Sequence, residues 1–377
     1  MIDRNRLFGT FMDICATDSE PKKERLLAEK LTRHLLELGF VVTEDDAGEK
    51  SGGDTGNLFG RLEGRGGGTP LLFSCHMDRV SPGRGVRPRI EGDFIVSDGT
   101  TVLGADDAAG IAAILEALTA IKERNLPHPT VEVVFTVAEE LALVGSRFFD
   151  LGRVAAPCCF VLDASGPVGE IVIQAPEQAK IQAVFNGRKA HAGFAPEEGV
   201  SAILMAAAAI SRMKLLRVDP QTTANIGSIS AAGPTNIVPD RCELEAEARS
   251  LDPEKLRVQV NLMTEAMRSA AAAQGGSVEI TVTSCYPGYT LAEDSQPARR
   301  AASAAQRVGL PVTFKSTGGG SDANIFNSGG LPSVVLSCGY EAVHTTAERI
   351  ALDQLASLAD WVLALISDGA DGGHSTS

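Results

Sequence analysis

Apolar positions recur along the chain with two different periods, and the switches between them mark out the elements. Between Ser19 and Gly39, Leu27, Leu31, Leu35 and Leu38 recur three or four apart, the spacing of one helical face. Pro21 suits an early helical position and Gly39 a C-terminal stop. Short β-rich runs follow at residues 41–43 and 57–62, with a polar loop expected at residues 48–53. Continuous apolar runs at residues 71–75, 131–137 and 158–162 read as buried strands, and residues 108–124 read as a helix. Mostly apolar strands separated by helices predict a mainly parallel sheet covered on both faces.

After Gln174 the pattern changes. Residues 180–185 read as a strand and residues 201–216 as a helix. Residues 242–249 alternate strictly: Cys242, Leu244, Ala246 and Ala248 on one face, Glu243, Glu245, Glu247 and Arg249 on the other. That is the pattern of a half-exposed strand. A helix at residues 253–273 and a strand at residues 277–284 complete a β-α-β…β-α-β order, which predicts a small sheet with one solvated face and two helices. From about residue 296 the earlier alternation resumes, with a helix to Val308, strands at residues 312–314 and 333–336, and a helix at residues 353–366. The expected fold class is α/β in two domains. Residues 1–176 plus 291–377 form a mainly parallel mixed sheet flanked by helices, and residues 177–290 form an inserted α+β, ferredoxin-like domain. The Gly- and Ser-rich tail from Asp368 is expected to lack regular structure.

A chain of 377 residues exceeds one ordinary core, in keeping with two domains. Its formal net charge of −14 argues against nucleic acid or an anionic membrane surface as a partner. No apolar run is long enough for a membrane span, and residues 1–12 offer no secretory apolar core. Seven cysteines, odd in number and scattered without a Cys-x-x-Cys pair, read as reduced and buried. The expected compartment is the reducing cytoplasm.

Candidate chemistry sits where the apolar runs end, the place where α/β sheets collect it. His76 and Asp78 follow the run at residues 71–75. Asp106 and Asp107 open the next helix, where Asp107 can cap while Asp106 points elsewhere. Glu139 and Glu140 emerge from the run at residues 131–137, and buried carboxylates are costly unless paired or bound to a cation. Asp163 ends the run at residues 158–162, and His344 follows the strand at residues 333–336. Taken singly, an acid at a helix start or a histidine at a strand end is as readily structural. Together, His76, Asp106, Glu140, Asp163 and His344 make two imidazoles and three carboxylates, a mixed set suited to zinc, and also to manganese or cobalt. Five side chains exceed one tetrahedral site and suit two divalent ions sharing a bridging carboxylate. Glu139 could then take the proton of the attacking water, and Asp78 could orient His76.

This ordered series resembles the family of peptidase T, dipeptidase V, carboxypeptidase G and aminoacylase, from about residue 5 to 367. Lys189-Ala190-His191-Ala192-Gly193 resembles the family's lid-domain histidine motif. Pro234-Thr235-Asn236-Ile237-Val238-Pro239, followed by Glu247-Ala248-Arg249-Ser250, resembles its lid strand pair. Gly318-Gly319-Gly320-Ser321-Asp322-Ala323-Asn324 resembles its glycine-rich substrate loop. Peptidase T looks closest, through residues 103–107 and Asp163-Ala164-Ser165-Gly166-Pro167-Val168-Gly169-Glu170.

The resemblance implies one ion held by His76, Asp106 and Asp163 and a second held by Asp106, Glu140 and His344, with Asp106 bridging. Two zinc ions per chain are expected, with Glu139 as general base and Asp78 behind His76. His191 would help stabilise the oxyanion, in some members across a dimer interface. Arg249 and the amides of Gly318, Gly319 and Gly320 would hold a substrate carboxylate, and Asn236 joins them as a substrate-binding candidate. An Asp at the position of Asp163 accompanies aminopeptidases in this family. The expected activity is therefore an aminopeptidase of tripeptidase type acting on small peptides, with a possible homodimer through the inserted domain. An N-acyl-amino-acid deacylase or a carboxypeptidase shares the same metals and base. A metal-dependent peptide-binding protein would need neither Glu139 nor Asp78. Two departures bear on specificity: Ala138 stands where peptidase T has an acid, and Ala108 where a Lys commonly follows the aspartate pair.

Overall fold

The computed structural model describes residues 1–368, so the tail expected to be irregular lies outside the described residues beyond Asp368. The chain divides into two compact units. One comprises Met1–Gln174, Thr290–Ser316 and the chain from Ser321 onward; the other comprises Ala175–Tyr289 and Thr317–Gly320.

The first unit is built on a nine-stranded mixed sheet. At its centre the strand Leu71–His76 runs parallel to Val131–Thr136 on one side and to Cys159–Ala164 on the other. Ser333–Ser337 continues the parallel run beside Cys159–Ala164. Leu58–Leu62 and Val41–Glu44 complete one side in antiparallel pairing. Every residue of Leu71–His76 and Val131–Thr136 is buried, which is why both read as unbroken apolar runs. The helix Ala105–Arg124 is buried on nearly all sides and shows no single apolar stripe. Gly110 marks where it meets the sheet: a Cβ there would lie 2.7 Å from both Cys75 Sγ and the Leu162 carbonyl. The helix Leu352–Asp368 adds the buried Trp361, whose Nε1 donates to the Ala301 carbonyl at 2.9 Å.

Several sequence expectations shift here. A helix at Arg4–Cys15 precedes the first expected one; Asp3 caps it, and Leu7, Phe11 and Ile14 form its buried stripe. The next helix is Arg25–Leu38, so Pro21 precedes it in a turn and does not open it. Residues 48–53 are not simply a loop, because Ala47–Ser51 forms a short helix.

The second unit is a five-stranded antiparallel sheet in the order Leu216–Asp219, Thr222–Ser230, Arg241–Ser250, Glu177–Asn186, Ser277–Tyr286. Cys242, Leu244, Ala246 and Ala248 are buried in one cluster with Met205 of the helix Ala202–Ile210 and Met263 and Met267 of the helix Pro253–Ala273. Strict alternation thus reports a sheet covered on one face. The expected helix at residues 201–216 stops at Ile210, and an unforeseen hairpin, Leu216–Asp219 with Thr222–Ser230, extends the sheet. Most of the hairpin's side chains are partly or fully exposed, so it carries little of the apolar pattern that reveals a buried strand.

Candidate metal centre

Parallel strands bring their carboxyl ends together, and three donor-bearing segments leave the first unit's sheet there. His76 is the last residue of its strand. Glu139 and Glu140 open the turn Glu139–Leu141 just beyond Val131–Thr136, after Ala138 at φ +50°. Asp163 lies at the end of Cys159–Ala164. A fourth segment is the start of the helix Ala105–Arg124, where Asp106 (φ −84°, ψ 103°) and Asp107 (φ −116°, ψ 31°) are not helical. That backbone sends the two adjacent carboxylates to different partners. Asp106 Oδ1 lies 3.0 Å from His76 Nε2, while Asp107 Oδ2 accepts the main-chain N–H of His76 at 3.2 Å. Asp107 therefore secures the His76 backbone.

His344 arrives from the loop between two paired strands, Tyr340–Glu341 and Arg349–Ala351. Its Nε2 lies 2.8 Å from Glu140 Oε1 and 3.3 Å from Asp106 Oδ2. Asp106 thus meets the two imidazoles through different oxygens, the disposition a bridging carboxylate requires. Asp163 Oδ1 lies 3.7 Å from His76 Nε2. Donor atoms of His76, Asp106 and Glu140 all fall within 4.8 Å of one another, as do those of His76, Glu139 and Asp163. All five expected ligands and the expected base are brought together.

The electrostatics of this cluster suit cations. Burial, with the charge of Asp106, pushes Asp163 up to about 8. Burial and the neighbouring Asp163 hold Glu139 well above the carboxylate range. Burial opposes ionisation of Asp106 too, but bonds from His344 and His76 hold it well below its usual value. Bonds to Asp106 and Glu140 raise His344 to about 10. Burial works against a charged His76, yet Asp106, Asp163 and Asp78 together raise it well above a free imidazole. Crowded, buried acids thus share protons with two imidazoles, and divalent ions can replace those protons.

Asp78 is fully enclosed, and its side chain does something other than hold the His76 ring. His76 Nδ1 meets the Asp78 main-chain carbonyl at 2.9 Å and the nearer carboxylate oxygen only at 3.6 Å. The carboxylate instead accepts the N–H groups of Glu139 at 2.9 Å and Glu140 at 3.1 Å. Asp78 thus orients the histidine through its backbone and anchors the two glutamates through its side chain.

Three neighbours escaped sequence reading. Tyr340 Oη donates to Asp106 Oδ1 at 3.2 Å and Asp163 Oδ1 at 3.4 Å. Glu348 accepts the N–H groups of Gly104 and Asp106. Glu24 accepts the N–H of Ala138 at 2.9 Å, beside the two glutamates. A buried tyrosine near an apolar strand reads as core. The single available signal was the acid four residues after His344.

The substrate-binding candidates belong to the second unit. His191 is exposed, accepts the Gly193 N–H on Nδ1 at 3.2 Å, and lies edge-on to the exposed Phe194. Asn236 accepts the Ala192 N–H on its main-chain carbonyl at 2.9 Å. Arg249 is engaged by Glu247 through Nε at 2.9 Å and Nη2 at 3.1 Å. Gly318 has open space around its missing side chain, and Gly319 nearly so. Gly320 does not: a Cβ would lie 2.4 Å from the Tyr286 ring, so only glycine fits there.

A family model, Peptidase family M20/M25/M40, matches residues 72–368. The uncharacterised protein YqjE of Bacillus subtilis is 42% identical over 370 residues, covering 98% of this chain and 100% of that protein. Peptidase T of Clostridium novyi is 26% identical over 360 residues, 93% of this chain and 86% of that one. Among solved structures, aminopeptidase PepT from Bacillus cereus is 44% identical with a TM-score of 0.89, covering 98% of this chain and 99% of that one. A tripeptidase from Staphylococcus aureus is 42% identical with a TM-score of 0.94, covering 98% and 100%. The resemblance read from the motifs and the two-domain α/β fold class are both borne out. A family match over most of its length, joined by whole-length relatives at 42% and 44% identity, establishes that this chain belongs to peptidase family M20/M25/M40.

Proposed function

We propose that this protein is a two-metal aminopeptidase of tripeptidase type that removes the N-terminal residue from small peptides, with Glu139 as general base. The observation that carries this reading is Asp106, which addresses His76 with one oxygen and His344 with the other. His76, Asp106 and Asp163 would hold one ion, and Asp106, Glu140 and His344 the other. Zinc suits the set best, with manganese and cobalt as alternatives. Ions held by these residues would supply Lewis acidity toward a water nucleophile and the scissile carbonyl. Glu139 takes the proton released by the nucleophile and passes it to the leaving amine. The solved relatives named aminopeptidase and tripeptidase support the choice of peptide end. His191 is assigned to the developing oxyanion, and Arg249 and the amides of Gly318, Gly319 and Gly320 to the substrate carboxylate, with Asn236 as a further substrate-binding residue.

The test is a panel of free dipeptides, free tripeptides and N-acetylated peptides, given to enzyme loaded with zinc, manganese or cobalt and read by mass spectrometry. Release of the first residue from tripeptides is expected. Cleavage confined to N-acetylated substrates would make it a deacylase, and loss of the last residue a carboxypeptidase. Tight peptide binding without cleavage would make it a binding protein. Elemental analysis of the loaded protein should give about two ions per chain.

Tyr340→Phe keeps the ring and removes both hydrogen bonds to Asp106 and Asp163. Partners of metal ligands typically contribute 10–100-fold in affinity or activity, and about tenfold weaker metal binding is expected here. Competition with a chromophoric chelator measures it, and unchanged affinity would deny Tyr340 this role.

The second unit exposes Leu204 and Leu262, each 62% accessible, on its two helices, in keeping with a homodimer through that unit. Light scattering at micromolar concentration should give twice the chain mass. No helix among the described residues is long and apolar enough to cross a membrane, and none of the seven cysteines forms a disulfide. Six of the seven cysteines are buried thiols, which suits a reducing cytoplasm.

A further inference from the structure

We propose that Glu348 is a positioning residue that fixes Asp106 and holds it in register with His344, an inference that rests on the two-ion reading. Glu348 is 2% exposed and takes no part in the chemistry assigned above. Its Oε2 accepts the Gly104 N–H at 2.7 Å, and its Oε1 accepts the Asp106 N–H at 3.1 Å. One carboxylate thus grips both ends of the turn that presents the bridging oxygens.

The turn is also gripped by Arg79. Gly104 sits at φ +77°, a conformation suited to glycine, and a Cβ there would lie 2.9 Å from Arg79 Nε. Arg79 in turn donates to the main-chain carbonyls of Cys15 at 2.5 Å, Ile14 at 3.2 Å and Thr17 at 2.8 Å. Gly104 is therefore packed against a guanidinium anchored in the core, while its N–H is held by Glu348. Rotation of the Leu103–Gly104–Ala105 backbone is restrained by both.

What separates Glu348 from an ordinary buried acid is the loop it belongs to. His344 stands four residues earlier, between the strands Tyr340–Glu341 and Arg349–Ala351. Asp106 and His344 meet at 3.3 Å although they are far apart in the chain. Glu348 joins the same two segments by a second route, backbone to carboxylate. Its loss frees the Asp106 turn and removes a tether between two of the three segments that supply the second ion's ligands. Asp106 serves both ions and His344 only one, so the ion held by Asp106, Glu140 and His344 should suffer more.

The test uses the full-length protein loaded with zinc, with Glu348→Gln and Glu348→Asp compared against wild type. The amide of Glu348→Gln can accept only one of the two N–H groups. Glu348→Asp keeps the charge but withdraws it by one methylene. Folding is checked by circular dichroism and thermal melting, and if one variant does not fold the other carries the test. Calorimetric titration with zinc, in competition with a chelator, should show one of two sites weakened 10–100-fold and the other less affected. kcat should fall at saturating zinc, with KM for a tripeptide nearly unchanged. A folded variant with both zinc affinities and kcat at wild-type values overturns the inference. Wild-type protein that binds fewer than two zinc ions overturns the two-ion reading itself, and the inference with it.

Discussion

Glu139→Gln is expected to lower kcat by about 10²–10⁴-fold, the usual contribution of a general base, and further if the same group also returns the proton to the leaving amine. The amide keeps the size and shape of the side chain and cannot accept a proton at neutral pH. Metal content should stay near two ions per chain and KM near wild type, because the loss falls on the transition state. The distinction needs this experiment, since distance alone does not make it. Glu139 lies within 4.8 Å of the His76 and Asp163 donors, as a ligand would. Glu140 instead pairs with His344 at 2.8 Å. Glu140→Gln should therefore lose metal before it loses chemistry. Near-normal turnover in Glu139→Gln would remove Glu139 as base. Metal loss matching that of Glu140→Gln would make Glu139 a ligand and reopen the search for the base.

The donors were readable in the sequence because each stands at a local landmark. His76 and Asp163 close apolar runs, Glu139 and Glu140 follow one, and Asp106 opens a helix. Such positions need only the alternation of strands and helices to be placed. The residues that hold the donors left no such mark. Asp78 reaches the backbone of Glu139 and Glu140, 61 and 62 residues away, and Glu348 reaches that of Gly104 and Asp106 from more than 240 residues away. A carboxylate bonded to a distant N–H has no spacing rule, so the sequence pairs Asp78 with the nearby histidine ring and leaves Glu348 unmarked. The same reasoning covers the fold. The buried strands announced themselves, whereas Thr222–Ser230, half exposed, did not. The helix Arg4–Cys15 buries only four residues, and the apolar Phe8 and Met12 between them blur its stripe.

Asp106→Asn should be more damaging to metal binding than loss of either histidine. In the proposed scheme His76 serves one ion and His344 the other, so each alanine variant should lose a different ion. Asp106 faces both imidazoles, through Oδ1 at 3.0 Å and Oδ2 at 3.3 Å, so its charge supports both sites. The asparagine retains one carbonyl oxygen and places an amide nitrogen where the second oxygen stood. That nitrogen donates and cannot ligate a cation. It also removes the negative charge that two dications in close proximity need between them. Both ions should be lost together, and activity should fall by about 10³-fold or more, since the metal's stabilisation of developing charge is worth several kcal/mol. Elemental analysis after gel filtration in metal-free buffer measures the first effect, and tripeptide turnover the second. An Asp106→Asn protein that keeps one ion tightly while losing the other would assign Asp106 to a single site. The bridge would then fall to another carboxylate, with Asp163, 3.7 Å from His76 Nε2, the nearest candidate.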